Sequence, residues 1–369
     1  MPRCRYDHVR AVHKQACSLS RAGHEVVLVT KNCGVNEYLG MRVVAAAGSS
    51  ESLFRPVLNL PALYRQVRDL RGDICVLRNP DTIPLALLLR LFGHKVIYDT
   101  HEDFSKRPLI HPSLPRWTRG AAAWLITQLE RLLARVTSGV IVTQSQQLEG
   151  LGGRAMLQPN APLTAGPIVQ PAIAASPTAG DAGLSFIYVG EITRYRGVFA
   201  MFDMIETVNR KLDARLELVG WVLSDQLREQ MKQHPGWRFV NFHGAMSHAD
   251  TLRQIRLSDV GVVVLKPVVD YPTTSVTKLY EYMQFGKPFI ASDFAAWRIR
   301  AALGPAGLYV NPDSVNEISA AAIELATDPA LRNRMGNAGK HYIETEFNWE
   351  RTVKPFIDLV ESQVTPRSN

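Results

Sequence analysis

The stretch Asp270–Asp293, DYPTTSVTKLYEYMQFGKPFIASD, decides how the rest of the chain is read. Tyr271, Pro272, Thr273, Thr274 and Ser275 suit a tight loop. The residues from Thr277 to Phe285 predict a short helix, Gly286-Lys287-Pro288 a turn, and Phe289 to Ala291 a buried strand. A loop that opens a helix presents unpaired backbone N–H groups and the positive end of the helix dipole, and both favour an anion. Ser275, Val276, Thr277, Lys278 and Leu279 would supply those N–H groups to a diphosphate. Glu281 falls about one turn into the helix, where its carboxylate can accept two hydrogen bonds from a ribose diol. The chemistry suggested is nucleotide binding.

At these residues a resemblance enters. TSVTKLYEYMQFGKPFIASD resembles the donor-nucleotide signature of the retaining family-4 glycosyltransferases, whose GT-B fold sets two facing Rossmann-like domains of parallel α/β structure about an interdomain cleft. The plainer reading is an ordinary loop, helix and strand with a solvated Glu281. Against it, a glutamate, a Gly-Lys-Pro turn and a strand ending in Ser-Asp occur in the family's order. One position departs: the family usually carries a second glutamate eight residues before the first, near the donor sugar, and here that position is Thr273.

Length and composition bound the rest. A chain of 369 residues with ordinary globular composition is long enough for two domains with full cores. No apolar run is long enough to span a bilayer, and MPRCRYDHVR has no apolar signal region, so a soluble or peripheral cytoplasmic protein is expected. Cys4, Cys17, Cys33 and Cys75 lack paired metal-ligand spacing and read as reduced thiols. Charge is uneven: residues 1–170 hold 21 Lys and Arg against 12 Asp and Glu, and the remainder 21 against 22. In the family that basic half faces the acceptor. The asymmetry therefore favours an anionic acceptor or an anionic membrane surface. Nucleic acid is not expected as a partner, because no basic run is interleaved with aromatics.

Asp7 to Ala22 reads as an amphipathic helix with Val9, Val12, Ala16 and Leu19 at helical spacing, followed by a strand over 25–30. A Rossmann-like domain opens with a buried strand and a glycine-rich turn, yet only six residues precede Asp7. Either translation starts upstream of Met1, or that strand is lost or supplied otherwise. Further strands are expected at 41–46, 73–77 and 95–98, alternating with helices over 55–70 and 82–92, as in a parallel doubly wound sheet. Ligands in such sheets sit at the carboxyl ends of strands. Asp99-Thr-His-Glu-Asp-Phe104, after one such strand, matches a recurring form of the family. The resemblance makes His101 a polar contact to the reacting sugar or acceptor, with Glu102 and Asp103 as orienting groups. A locally packed histidine is the alternative.

Pro115–Arg135, PRWTRGAAAWLITQLERLLAR, predicts a helix carrying Trp117, Trp124, Leu125, Leu129 and Leu132 among Arg116, Arg119, Arg131 and Arg135. Such a mixture suits an interfacial helix. The preferred reading is a core helix with a solvated basic edge, because apolar stripes usually face a core. A strand over 140–143 follows, and RAMLQPNAP resembles the family's last N-domain strand. Residues 166–183, rich in Ala, Pro, Gly and Thr without periodicity, form the expected linker between an N-terminal domain (1–165) and a C-terminal nucleotide-sugar domain (184–345). A closing helix over 346–369 resembles the family's crossover to the N-terminal domain.

The second domain opens with a strand over 184–190, then Glu191-Ile-Thr-Arg-Tyr-Arg-Gly197 and a helix from Val198. A glycine-containing loop lets backbone approach a phosphate, and an arginine there neutralises it. In the family this loop carries an arginine just after the first glycine and a lysine just before the second. Here Glu191 holds the first slot, with Arg194 as a stand-in, and Arg196 the second. Gly190, Arg194 and Arg196 are therefore candidate donor contacts. Strands over 216–220 and 239–244 end in glycines, and His243 and Gly244 are candidates for contacting the base.

The resemblance implies a retaining hexosyltransferase that uses a UDP- or GDP-type sugar and no metal. Arg196 and Lys278 would offset leaving-group charge, Glu281 would hold the ribose and His101 would contact the sugar. It implies a glycan or lipid-linked acceptor, cell-surface polysaccharide or glycolipid synthesis in bacteria, and a place at the inner face of the plasma membrane. There are two rivals. One is a sugar-nucleotide epimerase of the same fold, whose characteristic residues DTHEDF and TKLYEYM do not resemble. The other is a non-catalytic GT-B subunit that binds a partner glycosyltransferase or a glycan, suggested by Thr273 in place of a glutamate, Glu191 in place of an arginine and the missing first strand.

Overall fold

The computed structural model describes residues 8–30, 34–47, 59–100, 104, 106–110, 114–165, 183–222, 224–301 and 305–364. The chain divides into two compact units, Met1–Asn160 with Trp349–Asn369, and Ala161–Asn348.

In the first unit, a π-wound segment Val9–Ala16 runs into α1 (Cys17–Arg21). The strands are β1 (Val27–Thr30), β2 (Glu37–Tyr38), β3 (Met41–Ala45), β4 (Ile74–Arg78), β5 (Lys95–Thr100), β6 (Gly139–Val142) and β7 (Ala155–Leu157). The helices are α2 (Leu60–Asp69), α3 (Ile83–Leu91), α4 (Arg107–Ile110), α5 (Arg116–Val136) and α6 (Ser145–Leu151). β4-β5-β6-β7 is a parallel sheet. β1-β3-β2 is a second, smaller sheet, parallel between β1 and β3 and antiparallel between β3 and β2. Its β2 was not expected: Leu39 and Gly40 both take positive φ, which turns the chain tightly enough for β2 to pair antiparallel with β3. An apolar cavity of about 230 Å³ is lined by Leu28 of β1, Cys75 and Leu77 of β4, and Ala16, Leu63 and Phe356. The expected opening strand falls before His8, outside the described residues.

Asp99 is the electrostatic centre of this unit. Buried in β5, it accepts from Arg10 Nη2 at 3.1 Å and Nε at 3.2 Å, from Gln15 Nε2 at 3.1 Å, and pairs with Arg78 Nη2 at 3.0 Å. The shared carboxylate, together with Gln158 O accepting from Arg10 at 3.3 Å, offsets the cost of burying the guanidiniums. The first residues of the Asp99–Phe104 motif are thus structural here, since Thr100 also donates to Glu130 at 3.0 Å.

The second unit holds β8 (Leu184–Val189), β9 (Ala214–Val219), β10 (Val240–Gly244), β11 (Val260–Val263), β12 (Phe289–Ser292) and β13 (Gly307–Val310). All pair in parallel in the order β10-β9-β8-β11-β12-β13. Its helices are α7 (Val198–Asn209), α8 (Asp225–Lys232), α9 (His248–Leu257), α10 (Thr277–Gln284), α11 (Ala295–Ala301), α12 (Val315–Thr327) and α13 (Pro329–Thr345). Phe186, Tyr188, Leu216 and Val262 pack on one face against Met201, Phe202 and Ile318. Ile187, Val263 and Phe289 pack on the other against Ile255, Tyr282 and Tyr342. Strands covered on both faces explain the continuous apolar runs of the sequence.

The chain returns to the first unit through α14 (Trp349–Thr352) and α15 (Lys354–Gln363). Trp349, fully buried, donates Nε1 to Ser18 Oγ at 3.0 Å and lies beneath Arg10 and Lys14. The helix expected over Pro115–Arg135 is α5, but its apolar residues divide. Leu133 and Ala134 enter the core, whereas Trp117 and Trp124 are 86 % and 64 % exposed. The core reading of that stripe is corrected accordingly: Leu133 and Ala134 face inward with Leu129 packed against the same core, and the tryptophans stay largely exposed.

Asp99→Ala leaves Arg10 and Arg78 buried around a lost counter-charge. It is expected to lower the unfolding free energy by about 3–5 kcal/mol, measured by urea denaturation followed by circular dichroism.

Candidate functional site

The second unit's sheet begins at β8, grows outward through β9 and β10, then crosses to β11 on the other side. That reversal opens a crevice at the carboxyl ends of β8 and β11. Two loops meet there. After β8, Gly190 takes φ +129° and Gly197 φ +75°, and a Cβ on Gly197 would come within 2.2 Å of Val264 O. Only glycine lets the loop pack that closely while turning left-handed. Tyr195 O in turn accepts from Lys266 N at 2.8 Å. Thr193 caps the short turn by accepting from Arg196 N at 3.2 Å.

The post-β11 loop closes on itself through Thr273 N and Thr274 N, which donate to Asp270 O at 3.0 and 2.8 Å. It then delivers α10. Val276 is the N-cap in extended conformation and makes no side-chain cap bond, so the first-turn N–H groups carry no side-chain acceptor from the cap.

Lys278 and Arg196 converge on Gly190. The Lys278 Nζ sits 2.7 Å from where a Gly190 Cβ would be, and Arg196 Nη1 at 3.8 Å from the same point. Lys278 Nζ lies 5.7 Å from the Tyr188 ring centroid, and the Arg196 guanidinium 5.5 Å from that of Tyr271. Arg196 Nη2 pairs with Glu191 Oε2 at 3.2 Å, while its buried Nε has no hydrogen-bond partner. Burial, then the neighbouring Arg196 charge, lowers Lys278 from its ordinary 10.5 to about 8, against the opposing pull of Glu281 and Glu191. Burial pushes Tyr188 up to about 12. Two cationic side chains are thus gathered beside Gly190 at the carboxyl end of β8.

Gly190, Arg196 and Lys278 are therefore brought together beside the start of α10, which holds Thr277 and Leu279 after Ser275 and Val276, and Glu281 in the same helix is near enough to act on the Lys278 charge. Arg194 is engaged differently, over the Phe199 ring at 4.8 Å and donating to Gln230 Oε1 at 2.5 Å. His243 contacts Glu217 Oε2 at 2.5 Å, and the same carboxylate accepts from Asn241 and Gln254. Gly244, at φ +69°, accepts from Gly220 N at 2.8 Å. His101, Glu102 and Asp103 lie outside the described residues. Neither Tyr188 nor Tyr271 is a site candidate from sequence, because nothing local marks a strand tyrosine or a loop tyrosine as a ring beside a cation.

The glycosyl transferase 4-like domain family matches residues 8–162, and the family of glycosyl transferases group 1 matches residues 170–342. The chain is a group 1 glycosyltransferase. Among solved structures, the sucrose-phosphate synthase of Thermosynechococcus elongatus is similar, with a TM-score of 0.71 at 17% identity over 94% of this chain and 90% of that one. A glycosyltransferase from Rickettsia africae reaches 0.66 at 11% over 95% and 93%. Anabaena HepE, in complex with UDP and glucose, reaches 0.64 at 12% over 88% and 87%. At these identities the likeness shows the fold of this glycosyltransferase, two Rossmann-like GT-B domains. No curated protein matches the chain by sequence.

The depressed Lys278 fixes a sign. Between about pH 8 and 10.5 the folded glycosyltransferase binds fewer protons than the unfolded chain, so this lysine makes stability rise with pH across that window. Lys278→Met is expected to flatten that rise and to raise stability at pH 7 by about 1–3 kcal/mol, read from urea midpoints across the range.

Proposed function

We propose that this glycosyltransferase moves a hexose from a UDP- or GDP-type sugar to a hydroxyl of a glycan or lipid-linked acceptor, with retention at the anomeric carbon. The observation that carries the reading is the convergence of Lys278 and Arg196 on Gly190 at the topological switch point, beside the opening of α10. A diphosphate seated there replaces water with two fixed cations and helix N–H groups, and these stabilise negative charge as the sugar–phosphate bond breaks. Glu281, one turn further, takes the ribose hydroxyls. His101 contacts the sugar or acceptor. Charge compensation of this kind makes a metal unnecessary. The setting we infer is cytoplasmic synthesis of bacterial cell-surface polysaccharide or glycolipid.

A second reading rests on Glu191. It occupies a slot the family gives to arginine and pairs with Arg196, as a non-catalytic subunit that has lost its donor could tolerate. Thermal denaturation with UDP, GDP, ADP and CMP separates the two. One nucleotide is expected to raise the melting temperature, and Glu281→Ala to abolish the shift. No shift with any of them from folded protein would favour the non-catalytic subunit.

Bound diphosphate stabilises the charged form of Lys278, so binding takes up a proton above about pH 8. Nucleotide affinity, followed by calorimetry, is expected to fall as pH rises from there, and Lys278→Met to remove that dependence while weakening binding. Sugar transfer is expected to persist undiminished in EDTA; loss of turnover there, restored by a divalent cation, would refute the metal-free reading.

A further inference from the structure

We propose that the exposed face of α5 docks this protein on an anionic lipid surface. At about 3.6 residues per turn, Trp117, Ala121, Trp124, Leu125, Leu132 and Arg135 fall on one side of the helix. That side is bare. Trp117 is 86 % exposed, Trp124 64 %, Leu125 52 % and Leu132 39 %. Arg116, Arg131 and Arg135 are exposed around them. The helix's one acidic residue, Glu130, is buried and accepts from Thr100 Oγ1 at 3.0 Å, so no carboxylate of α5 interrupts the basic rim.

Exposing two tryptophans on one helix costs solvation free energy without stabilising the fold, which marks the face as an interaction surface. The chemistry of the face selects its partner. Indole rings settle at the boundary between headgroups and acyl chains, leucines enter just below, and arginines extend to lipid phosphates. A second copy would set a like-charged face against it, which disfavours self-association. The excess of 21 basic over 12 acidic residues in 1–170 adds long-range attraction to a negative surface. Among the described residues no helix is long and apolar enough to cross a membrane, so α5 lies on the surface instead of spanning it. Its seating is rigid: Arg119 donates to Leu114 O at 3.0 Å and Leu109 O at 3.3 Å, tying α4 to the start of α5 and placing the half-exposed Leu109 beside it.

The test is cosedimentation of the full chain with vesicles of phosphatidylcholine alone and of phosphatidylcholine with phosphatidylglycerol, at low and high salt. Wild-type protein is expected to bind the phosphatidylglycerol vesicles selectively and to release in salt. Arg131→Gln with Arg135→Gln is expected to weaken binding about fivefold per arginine. Trp117→Ser with Trp124→Ser is expected to weaken it at least about tenfold. Both pairs are solvent-exposed, so circular dichroism and melting temperature are expected to stay unchanged. Lys278→Met serves as control: its vesicle binding is expected to match wild type, so the result stands or falls apart from the donor site. Absent or lipid-independent binding, binding unaltered in either folded double variant, or a dimer that the tryptophan changes convert to monomer without any vesicle binding would overturn the proposal.

Discussion

Two cations crowded against one glycine set the terms for the second unit. Lys278 and Arg196 repel each other and are drawn out of water, and burial alone would push Lys278 toward its neutral form. The fold holds them there because every element around them is anchored elsewhere. β8 and β11 are covered on both faces, Thr193 caps the turn before Arg196, and Gly197 lets the β8 loop pack on Val264. Glu191 and Glu281 offset part of the charge. Arg196 Nε is left buried without a hydrogen-bond partner, and Lys278 is offset only by charges at a distance.

The first unit solves the opposite problem. There the carboxylate is central and the guanidiniums surround it: Asp99 takes Arg10, Arg78 and Gln15 together. The arrangement ties the opening helical segment to the middle of the four-stranded sheet. Trp349, arriving from the far end of the sequence, packs under Arg10 and Lys14 and bonds to Ser18, so the last helices are held by the same polar cluster. The asymmetry is physical. In the first unit one carboxylate ties several donors together, whereas in the second two cations meet at one glycine.

Much of this was legible along the chain. Alternating apolar runs and helical stripes place nearly every parallel strand within a residue or two, because a strand buried on both faces must be continuously apolar. Arg196, Lys278 and Glu281 stand out by position in loop and helix. The short β2 did not, since two residues carry no periodicity and its turn depends on Leu39 adopting positive φ. Asp99 read as part of a functional motif, yet its partners lie 21 to 89 residues away, beyond any local pattern.

The sequence by itself determined the α/β class, the two Rossmann-like halves and the loop that opens α10, for these follow from spacing that each segment carries alone. Tertiary structure decided which charges meet. Arg194 and Arg196 are two residues apart in one turn, but one lies over Phe199 and the other beside Lys278. It decided, too, that the apolar stripe of α5 divides, with Leu133 inside and Trp117 and Trp124 outside. A helical pattern shows that a face is apolar; only the neighbours that cover it, or do not, determine whether it is core or surface.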